Sequence, residues 1–225
     1  MSDDAASTWS AALTAMVDGA SRRYLRAGDR LFAEGDATTD VFLVEQGLVK
    51  IVKTAAGGGE SLVTLRGSGG LVGEHSAIDG RPRGTGAIAA TDLVVSVVSR
   101  DRLLATLDAT PGFAAALLTQ FTAQLRSTTR DVLALATGDA LALVAARLVE
   151  MVADPMFASL RSTARGVVVL EMPISQQELA SWAGVSHRST TAVLRELRDR
   201  GLVTTQRLHI EVHDPEGLAV IAGTG

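Results

Sequence analysis

The sequence predicts an α+β chain: an antiparallel β domain first, one long helix next, and a small mixed α/β head last. Three observations carry that expectation. Residues 22–100 are rich in glycine and in short β-branched runs. Residues 100–136 switch to alanine and leucine at helical period. Past Gly138-Asp139, short helical and extended patterns alternate. A length of 225 residues suits two domains and can bury a sizeable core.

Ser7 to Val17 reads as a short helix, with Ser7 or Thr8 as its cap. Strands follow at Val41-Phe42-Leu43-Val44, Leu48-Val49-Lys50-Ile51-Val52, Leu62-Val63-Thr64-Leu65 and Leu93 to Val98. Turn signals separate them, at Gly28-Asp29, Gly35-Asp36, Gly47, Gly57-Gly58-Gly59 and Gly69-Gly70. Strands this short and this closely punctuated pair as an antiparallel sandwich or barrel. Ser99 can cap a helix from Arg100 to Leu107, and Pro111 suits the first turn of a longer one reaching Leu135.

Within that long helix, Leu118, Phe121, Leu125, Thr128, Val132 and Leu135 are spaced three, four, three, four and three. This is the seam of a coiled coil, and it either pairs two copies of the chain or packs on the chain's own β domain. Pairing is the reading adopted. Thr128 is the polar member, and it calls for a hydrogen-bonding partner such as a hydroxyl, a water or a ligand.

Gly138-Asp139 interrupts the helical pattern and is the expected hinge. After it come a helix from Ala140 to Ala153, a strand from Val167 to Leu170, two short helices and a hairpin of Leu202–Thr204 with His209–Val212. The working division is therefore 1–110, 111–137 and 138–225.

The two short helices carry the most specific signal. Ser175-Gln176-Gln177-Glu178 is a capping box opening a helix to Ala183. Gly184 permits a sharp turn, Ser186 caps a second helix to about Arg200, and Gly201 stops it. Leu179, Val185, Val193, Leu194 and Leu197 are placed to bury between the two, and small Ala180 lets them approach. This is a helix-turn-helix, whose second helix enters the major groove of DNA.

Its base-reading positions are His187, Arg188, Ser189, Thr191 and, one turn on, Ala192 and Arg195. Arg188 suits a bidentate contact to guanine. Ser189, Thr190 and Thr191 offer short hydroxyls, while Arg195, Arg198 and Arg207 suit phosphates. The stretch from His187 to Arg207 is locally basic inside a chain of net charge −4. That overall charge argues against indiscriminate coating of nucleic acid.

Composition narrows the rest. There is no cysteine, which excludes disulfides, thiolate metal sites, cysteine-ligated clusters and cysteine nucleophiles. No run approaches the roughly 18 apolar residues of a membrane span, and the acidic start does not read as a signal peptide. A cytoplasmic location is expected.

Taken together, these pieces resemble the CRP/FNR family of bacterial transcription regulators along nearly the whole chain. Gly28 to Asp36, Val41–Val44 and Gly47-Leu48-Val49 resemble the opening strands of a cyclic-nucleotide-binding jelly roll. Gly73-Glu74 and then Asp79-Gly80-Arg81-Pro82-Arg83 resemble its phosphate-binding cassette. The resemblance implies a homodimer on double-stranded DNA, in contact with RNA polymerase and controlled by a small effector, with a cyclic nucleotide as one candidate. It implies that Glu74 accepts from a ribose hydroxyl and that Arg83 pairs with a cyclic phosphate, aided by backbone at Gly73. It places Thr128 and Thr129 against the nucleotide base.

Two departures stand out. The residue after the cassette arginine is Gly84 rather than serine or threonine, leaving Thr85 as the nearest hydroxyl. The recognition helix carries His187-Arg188 and Ala192 where the family's common Arg-Glu and later Arg stand, so a different operator is expected. Another small ligand, or none, stays open beside the cyclic nucleotide. A metal-dependent cupin enzyme would need several histidines in the β domain, which holds only His75; a haem sensor would rest on that same residue.

Overall fold

The computed structural model describes residues 3–55, 58–164, 166–206 and 209–223. Helix α1 (Asp3–Val17) opens the chain. It starts earlier than the expected Ser7, so neither Ser7 nor Thr8 is its cap; Ala5 and Ala6 are strong helix formers and nothing from Asp3 to Ala6 breaks a helix.

Eight strands follow: β1 (Ser21–Leu25), β2 (Arg30–Phe32), β3 (Val41–Gln46), β4 (Val49–Thr54), β5 (Glu60–Arg66), β6 (Leu71–Val72), β7 (Gly86–Ala89) and β8 (Leu93–Val98). A short helix, α2 (Glu74–Asp79), interrupts them between β6 and β7. They form two four-stranded sheets, ordered β1-β8-β3-β6 and β2-β7-β4-β5. The antiparallel sandwich expected from the strand spacing, and the jelly roll implied by the family resemblance, are present.

Period-two burial explains the apolar run of β3. Phe42 and Val44 face the interior between the sheets, with Leu31, Phe32, Val49, Ala87, Leu93 and Val95. Val41 and Leu43 face outward but are covered by Trp9, Leu13 and Met16 of α1 and by Leu103, Phe113 and Leu117. A strand buried on both faces reads as continuous hydrophobics instead of alternating ones.

Helix α3 (Arg100–Ala109) is capped by Ser99, whose hydroxyl accepts from the Arg102 amide. Helix α4 (Pro111–Thr137) is the expected long helix. Then come α5 (Ala140–Ala153), a 3-10 turn (Pro155–Leu160), β9 (Arg161–Ala164), β10 (Val167–Glu171), α6 (Gln176–Ala183), α7 (His187–Asp199), β11 (Val203–Gln206), β12 (His209–Val212) and α8 (Pro215–Ile221). The last sheet runs β11-β12-β10-β9. Strands β1, β6, β7 and β9 and helices α2 and α8 are additions to the sequence-based reading. The chain divides into two compact units, Met1–Glu60 with Leu65–Thr128, and Ser61–Thr64 with Thr129–Gly225.

Candidate nucleic-acid interface and effector cassette

Helix α6 begins with the expected capping box: Ser175 Oγ accepts from the Glu178 amide at 3.2 Å, and Glu178 Oε2 accepts from the Ser175 amide at 2.8 Å. It ends at Gly184, whose φ of 70° is left-handed and favours glycine. The Val185 amide donates back to the Ala180 carbonyl at 3.0 Å and closes the turn. Ser186 then caps α7, accepting from the Ser189 amide at 3.0 Å.

Helix α7 is sharply two-faced. Thr190, Val193, Leu194 and Leu197 are buried, while His187, Arg188, Thr191, Ala192 and Arg195 are exposed and Ser189 is half-buried. Among the described residues, Arg188 and Arg195 carry no hydrogen bond or ion pair. Their guanidinium donors are available to a partner.

Three hydroxyls and one arginine depart from the expected assignment. Thr190 is wholly buried, so it cannot reach DNA; its hydroxyl donates to the Ser186 carbonyl at 3.2 Å. Thr191 donates to the His187 carbonyl at 3.0 Å, and Ser189 Oγ lies 2.8 Å from Ser186 Oγ. Both hydroxyls are thus partly engaged within the helix. Arg198 donates to the Thr205 hydroxyl, tying α7 to the hairpin of β11 and β12 rather than standing free for a phosphate. Arg207 lies outside the described residues.

The outward stripe of α4 is exposed and apolar: Leu118, Leu125 and Val132 are each at least 60% exposed, and Leu133 and Leu135 accompany them. Phe113, Ala116 and Leu117, on the opposite face, are buried in the β domain's own core. Phe121 turns toward that core and sets its ring 5.1 Å from that of His75, so it serves the inner face. Thr128 is exposed, and its hydroxyl donates to the Gln124 carbonyl at 3.0 Å, leaving lone pairs that can accept. Thr129 is exposed beside it.

The cassette is formed by β6, Gly73, α2 and the loop leading to β7. Glu74 is buried, with its carboxylate 3.7 Å from the His75 ring. Arg83 is only 2% exposed. Its Nη1 donates to the Gly73 carbonyl at 2.7 Å and its Nη2 to the Asp40 carbonyl. Its guanidinium stacks on Phe32, 4.3 Å from the ring centroid. The approach is close enough that a Cβ at residue 73 would sit 2.3 Å from Arg83 Nη1, so glycine is needed there. Burial pulls the Arg83 pKa down from its ordinary value, against the opposing carboxylates of Asp40, Glu74 and Asp36.

Glu74 and Arg83 therefore do not pair with each other. The loop beyond is pinned as well: Lys53 donates to the Gly84 carbonyl at 2.8 Å while holding an ion pair with Glu34. A cyclic phosphate needs the paired donors of a guanidinium facing an open mouth. Here each terminal nitrogen already donates one N–H to a carbonyl and the group is covered by protein; Nε has no partner at all, and it is buried too. The residues present do not fit a cyclic phosphate at Arg83.

Residues 22–110 match the cyclic nucleotide-binding domain family, and residues 144–221 match the Crp-like helix-turn-helix domain family. The chain belongs to the CRP/FNR family of transcription regulators. It is 27% identical over 192 residues to a CRP-like cAMP-activated global transcriptional regulator of Mycobacterium tuberculosis, covering 85% of this chain and 84% of that one. A cyclic AMP receptor protein of Thermus thermophilus is 28% identical over 204 residues, covering 89% and 88%. The crystal structure of a CRP/FNR-family regulator from Thermus thermophilus superposes with a TM-score of 0.68 at 27% identity, over 90% of this chain and 98% of that one. This CRP/FNR member is a DNA-binding regulator and not a cupin enzyme.

The site held two features that the sequence reading missed. One is the burial of Arg83. The other is Arg147, which had a readable signal: it falls three or four residues from Val144, Leu143 and Met151, on the apolar stripe of α5.

Proposed function

We propose that two copies of this chain pair along the outward stripe of α4 and read a two-fold symmetric DNA site with their α7 helices. One observation carries this reading: a well-capped α7 buries one face completely and presents Arg188 and Arg195 with free donors on the other. The exposed stripe of Leu118, Leu125, Val132 and Leu135 supports the pairing, since a soluble chain rarely leaves so long an apolar strip open to water. Phe121 has its place on the inner face. His187, Ser189 and Thr191 flank Arg188 as further base-edge or phosphate contacts. The working division is a β domain at 1–110, a pairing helix at 111–137 and a reading head at 138–225.

RNA polymerase is the further partner proposed for this role, and the cytoplasm is where the role is exercised. Among the described residues no helix is long and apolar enough to cross a membrane. For control of the β domain, Glu74, Thr128 and Thr129 are the polar groups proposed to meet a small ligand, beside the Gly73 backbone. A cyclic phosphate on Arg83, Gly84 and Thr85 is not part of the reading.

The test is light scattering and DNA-binding anisotropy on the full chain with an operator found by in vitro selection. The expected result is a dimer whose affinity falls by orders of magnitude between about 50 and 200 mM salt, as arginine–phosphate contacts release counterions. Leu125→Arg should separate the copies and weaken binding at least ~100-fold, because a charge in the seam leaves each head to bind alone. A lone protomer at every concentration, or an affinity indifferent to salt, overturns the reading.

A further inference from the structure

Helix α4 and helix α5 are joined by only Gly138 and Asp139, and Asp139 caps α5 by accepting from the Ala142 amide at 2.9 Å. Backbone hydrogen bonds shape this corner, the Gly138 amide donating to the Leu135 carbonyl at 3.2 Å and the Asp139 amide to the Ala134 carbonyl at 2.9 Å, and side-chain contacts across it add a further constraint. Arg147 supplies them. It is 6% exposed, and its Nη2 donates to both carboxylate oxygens of Asp131 on α4, at 2.6 and 2.7 Å. Its Nη1 donates to Glu150 at 3.0 Å. The guanidinium carbon stands 5.6 Å from the ring centroid of Trp182 on α6.

One planar fork thus touches the last turns of the seam helix, the helix behind the hinge and the first helix of the helix-turn-helix. A bidentate guanidinium–carboxylate pair has a defined plane and direction, so it specifies orientation as well as adding energy. Leu135, near the end of α4, lies beside Gly184 at the helix-turn-helix corner and supports the same junction. The remaining Nε of Arg147 and the Trp182 Nε1 are buried without partners, so the arrangement is held despite unsatisfied donors.

We infer that the Arg147–Asp131 pair sets the angle of the reading head on the seam helix, and through it the half-site spacing that the dimer accepts. Arg147 is a positioning residue. It touches no DNA and acts through α6 and α7. The inference rests on the homodimeric DNA-binding reading above. Its physical requirement is geometric: adding one base pair between half-sites displaces the second by 3.4 Å and rotates it by about 34°. A dimer with fixed heads tolerates that poorly, and a dimer with loosened heads tolerates it well.

The experiment measures the full-length protein on the selected operator and on derivatives with one or two base pairs inserted or removed between half-sites. The wild type should lose at least ~10-fold in affinity per step away from its preferred spacing. Asp131→Asn keeps the shape and removes the charge. Asp131 is partly exposed and Glu150 remains on Arg147, so this variant is expected to fold, and a circular dichroism melt checks that it does. It should flatten the preference to less than ~3-fold, while binding to an isolated half-site stays unchanged. Asp131→Glu, which restores a carboxylate, should recover the spacing preference. A purely stabilising role would lower affinity on all spacings alike and leave the profile sharp. That outcome, or an unchanged profile in Asp131→Asn, overturns the inference. Failure of the wild type to bind any selected DNA overturns instead the reading on which it stands.

Discussion

Arg83 and Arg188 are the same side chain in opposite circumstances. Arg83 stands where the family's cassette puts a phosphate-binding arginine, and Arg188 stands near the start of a recognition helix, where the family's common residue is a glutamate. Arg188 is exposed on the outer face of α7 with its donors unspent. Arg83 is sealed inside the β domain, with two carbonyls on its nitrogens and Phe32 against its face. A motif specifies which residue type can do the chemistry; burial and hydrogen bonding decide whether that residue is free to do it. In the reading head the donors remain in solvent, and in the cassette the fold itself has covered them.

The sharpest way to break the comparison is at Arg83. As a staple between the Gly73 turn, the Asp40 carbonyl and the Phe32 ring, it should be costly to remove. Arg83→Ala leaves two buried carbonyls unpaired and a cavity beside Phe32, and should destabilise the protein by about 3 kcal/mol. For a chain of this size that lowers Tm by roughly 6–12 °C in a thermal melt. The protein that remains folded should bind operator as before. Cyclic AMP or cyclic GMP should leave the wild-type Tm unchanged, since a ligand that binds only the folded state would raise it. A clear rise that Arg83→Ala abolishes would return the phosphate to this residue.

The converse holds at Arg188. Arg188→Ala removes a side chain with no partner in the free protein, so Tm should not move. Operator binding should weaken by about 1–3 kcal/mol, read by anisotropy, with discrimination relaxed at the base it faces. An equal loss on unrelated DNA would make Arg188 a phosphate contact instead.

That contrast also marks what was legible in the sequence. Local rules wrote the reading head almost in full. A capping box, a left-handed glycine and a second serine cap involve groups within a few residues of one another, so Ser175, Glu178, Gly184 and Ser186 could be placed without knowing the fold. The coiled-coil spacing of α4 was equally readable, except that Phe121 turned inward to meet His75. The state of Arg83 depends on Asp40 and on Phe32 in β2, each tens of residues distant, and on how closely a loop folds over them. No periodicity reports that. Thr190 fell between the two cases: its hydroxyl made it look like a contact, but its position among Val193, Leu194 and Leu197 on the helix already placed it inward.

The smallest expected effect concerns the carboxylate that pins the cassette loop. Glu34 accepts from Lys53, which also holds the Gly84 carbonyl, and from the Thr54 amide at 2.8 Å. The Lys53 hydrogen bond, with the Thr54 amide behind it, holds the Glu34 carboxyl below its ordinary pKa. A carboxylate whose folded pKa is depressed binds its proton less readily folded than unfolded. Its contribution to stability is therefore complete above the unfolded carboxylate range and is lost as pH falls through the folded value. Glu34→Gln should melt slightly below wild type at pH 7, and the gap should close under acid conditions as the wild type protonates. The group is partly exposed and its Lys53 partner more so, so salt should shrink the gap as well. No such pH-dependent gap is expected for Arg188→Ala, because an unpaired arginine gains nothing from the charge on a neighbour. A gap that widened on acidification would mean that Glu34 is not the anchor of this loop, and would leave Arg83 to hold the cassette by itself.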